Sequence, residues 1–199
     1  AAVARDCLAT RVDGWRRATE KGGLDWGLAA AVLVAPERFN GLVGKWGSKG
    51  AVLGLGLAEL LQHCLRLPGD DQLEITVDKH GGRNQYSAML QHAFEDGMVL
   101  AREEGADRST YEVIGLGREV RVTFMPRADA AAFCVALASM VCKYLREVLM
   151  GEFNRFWVEK VPGLEPTAGY PGDSQRFFEA IEPVLAKMGI ARERVWRER

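Results

Sequence analysis

Apolar and polar positions along this chain repeat with two different periods, and the switches between them divide it into elements. Residues 4–20, ARDCLATRVDGWRRATE, have the spacing of an amphipathic helix. Gly22 and Gly23 close it, and the apolar run from Leu28 to Val34 stops at Ala35-Pro36, which predicts a buried strand leading into a loop. ERFNGLVGKWGSKG predicts a short helix and loop, and AVLGLGLAELLQHCLRL a mostly apolar helix closed by Pro68-Gly69. Leu73 to Val77 is a short strand with Asp78 at its carboxyl end. NQYSAMLQHAF returns to helical spacing, and three strands follow at Met98 to Arg102, Thr110 to Ile114 and Glu119 to Phe124. Gly115 and Gly117 mark the hairpin between the last two. The longest helical pattern, Ala130 to Trp157, starts beside Asp129 and is expected to bend or break near Gly151. Pro162 to Gly172 is a proline- and glycine-rich loop, and Ser174 to Met188 a final helix. Strands alternating with helices predict an α/β layered domain.

Composition adds limits. A length of 199 residues, 48% of them hydrophobic, suits one domain spanning residues 1–199. The formal charge of -1 gives no bulk attraction to a polyanion, so any nucleic-acid contact must use a local basic surface. Lys143 with Arg146 is one candidate, and the tail Arg192, Arg194, Arg197 and Arg199 is another. Cys7, Cys64, Cys134 and Cys142 lack CxxC spacing and read as buried thiols of a reducing compartment. His63, His80 and His92 show no ligand spacing and read as loop or surface residues. The five tryptophans are dispersed, as core or satellite packing would have them. Gly54-Leu55-Gly56 lacks the third glycine of a dinucleotide-binding turn. No membrane-length apolar run and no leader pattern is present, and a cytoplasmic, monomeric protein is expected.

Two aspartates carry the candidate chemistry. Asp78 and Asp129 each end an apolar run, and a carboxylate held on fixed backbone at a strand tip is a common ligand for a divalent cation. The plainer reading makes them turn formers or helix caps, and Asp129, ahead of an alanine-rich stretch, has the form of an N-cap. Lys143 and Arg146 are placed to contact phosphate or to line a solvated helix face with Glu147. Ser139 either donates to a phosphate or packs, and Tyr170 either contacts substrate or closes a turn.

Read together, these segments resemble the type II ribonuclease H family. ADAAAFCVALASMVCKYLREVLM resembles the family stretch of an Asp, an Ala-Ser pair, a lysine and an Arg-Asp, here Asp129, Ser139, Lys143 and Arg146 with Glu147 in place of Asp. TAGYPGD is similar to the loop whose tyrosine, here Tyr170, contacts the nucleic-acid backbone near the cut. LEITVDKHGG is similar to the strand ending in a catalytic aspartate, here Asp78, with Lys79 where the family has glycine. ERFN, residues 37–40, resembles the Glu-Ile-Asn that follows a strand. The resemblance implies a ribonuclease H-like mixed sheet flanked by helices, Asp78 and Asp129 as catalytic ligands of Mg²⁺ or Mn²⁺, Ser139, Lys143, Arg146 and Tyr170 on the substrate, and an RNA/DNA hybrid as that substrate. Nothing here matches the family's opening Asp-Glu-Ala-Gly strand, so the chain is expected to be the C-terminal portion of such a domain, lacking its first strands and inactive alone. A non-catalytic nucleic-acid-binding or protein-interaction module of the same fold is the alternative, and an unrelated α/β domain is a third.

Overall fold

The computed structural model describes residues 16–17, 19–23, 29–69 and 72–198. In chain order the elements are α1 (Pro36–Trp46), α2 (Lys49–Leu65), β1 (Leu73–Asp78), α3 (Ser87–Ala93), β2 (Met98–Glu104), β3 (Ser109–Ile114), β4 (Val120–Met125), α4 (Ala128–Ala131), α5 (Phe133–Val158) and α6 (Pro171–Lys187), followed by a 3₁₀ turn at Arg192–Arg194. The strands form one mixed sheet in the order β1-β4-β3-β2. β1 and β4 are parallel, whereas β2, β3 and β4 form an antiparallel meander. The α/β class expected from the alternating periods is therefore present.

Period-two alternation makes the sheet one-sided. Tyr111, Val113, Val120, Val122 and Phe124 point to one face, where Ala58 and Leu61 of α2 and Tyr86, Leu90, Ala93 and Phe94 around α3 cover them completely. Tyr86 stacks flat on Phe124 with ring centroids 3.7 Å apart. The opposite face is polar and carries a ladder of ion pairs: Arg102 to Glu112 at 2.6 Å, and Arg121 to both Glu112 and Glu74 at 3.2 Å. Hydrogen bonds from Arg102 and then Arg121 hold the Glu112 carboxyl below its usual range.

A second core lies away from the sheet, where Trp157 of α5 packs with Leu164 and with Phe177, Phe178, Ile181 and Leu185 of α6. α1 ties the chain's last residues to the body. The Asn40 amide donates to the Trp196 carbonyl at 2.8 Å and accepts the Glu198 N–H at 2.9 Å.

Several boundaries differ from the sequence expectation. The described part of the Leu28–Val34 run, residues 29–34, forms neither helix nor strand. Leu33 is largely exposed, and Val32 sits over Gly56 of α2. Apolar content makes a strand possible, but a neighbouring edge is needed to form one. The expected bend at Gly151 is absent: α5 runs unbroken, and the break falls at Ala132, whose extended backbone separates α4 from α5. α6 begins three residues early because Pro171 occupies its first turn, where the missing N–H costs nothing. Most of the expected opening helix lies outside the described residues, although residues 16–17 and 19–21 are helical.

Candidate functional site

The parallel register aligns Asp78 with Met125, so β1 and β4 end at the same edge of the sheet. In open α/β sheets, ligands collect outside the carboxyl ends of parallel strands. Past Met125 the chain turns sharply. Arg127 has φ 54, the sole positive φ of a non-glycine residue among the described residues. That turn aims the first free N–H of α4, from Ala128, at the Asp78 carboxylate, and Oδ1 of Asp78 accepts it at 3.1 Å. Asp129 is the next residue and belongs to α4. The carboxylate that satisfies the head of α4 is thus Asp78, from another strand, while Asp129 is not an N-cap: that position is Arg127. Both aspartates are exposed.

The loop after Asp78 is fastened on all sides. Lys79 donates to Asn84 Oδ1 at 2.8 Å and to the Gly105 carbonyl. The Tyr86 hydroxyl accepts the His80 N–H at 3.1 Å and donates to the Arg83 carbonyl at 3.0 Å. His80 lies in the loop, as expected, and is half-buried. Its ring packs edge-on against Tyr86 and Phe124, and Nδ1 is buried without a partner among the described residues. Burial pushes its pKa down, Arg83 adds to that, and Asp78 opposes it.

The remaining predicted residues lie along α5 and its facing loop. At 100° per residue, Ser139, Lys143 and Arg146 share a face that continues through Met150 to Trp157 and the second core. Ser139 is half-buried and Lys143 exposed; among the described residues Lys143 forms no ion pair. Arg146 is engaged: it donates to the Ala168 carbonyl, pairs with Glu147 at 2.9 Å and lies 5.0 Å from the centroid of the Tyr170 ring. Arg146 and Tyr170 therefore form one unit, with the ring 64% exposed beside the guanidinium. This unit stands roughly 20 Å along α5 from Phe133.

The basic tail is not an open cationic patch. Arg192 stacks on Phe178 and Trp196, Arg194 pairs with Glu37 at 3.4 Å, and Arg197 covers Phe39. Arg199 lies outside the described residues. Cys134 and Cys142 are exposed and Cys64 is half-buried, so the thiols are not the uniformly buried set expected; Cys7 also lies outside the described residues. Gly54 and Gly56 sit within α2, and Gly54 faces Met89, which makes them packing glycines. Among the described residues, no helix is long and apolar enough to cross a membrane.

The sequence reading passed over Asn154, Thr167 and Asp173. They secure the Tyr170 loop, and a threonine and an aspartate bracketing Gly-Tyr-Pro-Gly are the composition of a side-chain-capped turn. Among the described residues, no three His, Cys, Asp or Glu side chains are grouped to hold a metal ion. Compared with family models, curated proteins and solved structures, the chain matches none.

Proposed function

We propose that the chain is the C-terminal portion of a ribonuclease H-like domain whose parent cleaves the RNA strand of RNA/DNA hybrids. The observation that carries this reading is the contact of the Asp78 carboxylate with the amide immediately ahead of Asp129, which draws both aspartates to one edge of the sheet. Asp78 and Asp129 are the groups that would hold Mg²⁺ or Mn²⁺. A divalent ion bound there supplies charge neutralisation at the phosphate and a water made nucleophilic near neutral pH. The donors suit such an ion in kind and fall short in number, because one Asp78 oxygen already holds Ala128 and Mg²⁺ needs a larger oxygen set. The chain as given is therefore inactive in this reading, and upstream carboxylates complete the site. Lys143 serves as a point charge for phosphate, and Tyr170 with Arg146 offers a flat face and fixed charge to a backbone recognised by shape.

Two surfaces support the finer architecture. β1 pairs with β4 alone among the described strands, which leaves its outer edge open. Among the described residues, Met140, Tyr144 and Val148 of α5 form an exposed apolar stripe on a different side of the helix from Ser139 and Arg146. Further strands continuing the sheet past β1 would cover both.

The test is to read the gene upstream of Ala1 and assay the extended protein on a hybrid duplex in Mg²⁺. Nicking that Asp129→Asn abolishes is the expected result, and unchanged nicking in that variant refutes the assignment. The second reading, a binding module without catalysis, is favoured by the preformed Arg146–Tyr170 pair. It requires the present chain to bind hybrid duplex with steep salt dependence, and absence of binding at low ionic strength eliminates it.

A further inference from the structure

Tyr170 is an exposed ring on a loop that is unusually well held. The side-chain amide of Asn154, on α5, pairs with both backbone groups of Thr167, accepting its N–H and donating to its carbonyl, each at 2.8 Å. Thr167 is 6% exposed, so without Asn154 both of its backbone groups would be buried and unpaired. The Thr167 hydroxyl in turn accepts the Gly169 N–H at 2.9 Å and is the first cause of the depressed Asp173 pKa, while Asp173 Oδ2 accepts the Ala168 N–H at 3.1 Å. Every N–H from Thr167 to Gly169 is thus taken by a side chain. Gly169, at φ 75, lies against Met150 and the Arg146 guanidinium, and the next residue carries the exposed ring. The second core includes Trp157 and Leu164, which lie between Asn154 and Thr167 in the chain, without including Tyr170.

Fixing an exposed aromatic residue in advance removes an ordering cost from whatever it contacts. We propose that Asn154 is the positioning residue that presents Tyr170 and Arg146 as one preformed contact for a nucleic-acid backbone. This rests on the hybrid-binding reading above. Asn154 itself touches no ligand and acts through Thr167.

The experiment measures binding of a fluorescein-labelled RNA/DNA hybrid at low salt by anisotropy, for Asn154→Ala, Tyr170→Ala and the double variant of the full chain. Each single change is expected to weaken binding roughly tenfold, and the double variant no further, because both remove the same contact. Wild-type affinity in Asn154→Ala, or additive losses in the double variant, overturns the proposal. If Asn154→Ala does not fold, Asn154→Asp keeps the acceptor for the Thr167 N–H while replacing the donor with a charged oxygen, and because that charge acts whether or not Tyr170 is present, its losses are judged by the same cycle with Tyr170→Ala. Amide hydrogen exchange separates this proposal from the reading it rests on. Should the wild type bind no hybrid, that reading falls, and the positioning role is then decided by the amides of residues 167–169: selective loss of their protection in Asn154→Ala sustains it, and unchanged protection overturns it.

Discussion

Asp78 serves the fold as well as any ligand, since its carboxylate takes the N–H of Ala128 that α4 cannot pair internally. Asp78→Asn keeps an oxygen acceptor for that amide, whereas Asp78→Ala does not. Chemical denaturation should therefore show Asp78→Asn near wild type and Asp78→Ala less stable by about 1 kcal/mol, the usual worth of a helix-head acceptor. Equal stability of the two would mean that the contact is incidental. Tyr111 gives a second test at this scale. Its hydroxyl accepts the Tyr86 N–H at 2.8 Å and donates to Glu104, and burial followed by that carboxylate raises its pKa from 10.0 to about 12. The unfolded phenol ionises first, so this contribution to stability is whole below pH 10 and is lost as pH rises through 12. Denaturation midpoints measured across that window should fall for wild type and flatten in Tyr111→Phe.

Among the elements, the meander shows how a single small residue sets an approach. Gly97 enters β2 so close to β3 that an added Cβ would stand 2.7 Å from Val113 Cγ1 and 3.0 Å from Leu116. Val113 is fully buried and cannot swing away. Gly97→Ala should cost about 2 kcal/mol by overpacking, read from the shift of the urea midpoint, while the exposed Gly151→Ala in α5 should not destabilise. Glycine alone did not distinguish these positions in sequence: Gly151 had the look of a helix breaker and is an ordinary helical residue, whereas Gly97 drew no notice. The break at Ala132 was equally hidden, because alanine favours helix locally and the interruption follows the Asp78–Ala128 contact across the sheet edge.

At the scale of the molecule, α5 links the sheet's edge to the second core, and one of its faces is exposed among the described residues. Met140 and Tyr144 are each more than 60% exposed and lie on one stripe with Val148 among the described residues, and exposed apolar side chains grouped in this way favour association. Replacing Met140 with Lys and Tyr144 with Glu should reduce binding of a hydrophobic dye and concentration-dependent association of this chain, without lowering its thermal stability. A loss of stability would mean that the face is already buried within the folded chain. What the sequence determined by itself was local: the period-two strands, the period-3.6 helices, the Gly115–Gly117 hairpin and Asp78 at the end of an apolar strand, all set by neighbours a few residues away; Asp129 lies within α4, past the end of β4 at Met125. Which carboxylate holds α4, the failure of residues 29–34 to become a strand, the engagement of Arg192, Arg194 and Arg197 in packing, and the lock from Asn154 to Thr167 were decided only by the tertiary structure. Each depends on a partner distant in the chain, and hydrogen bonds and ring contacts of that kind leave no periodic trace in the sequence of either partner.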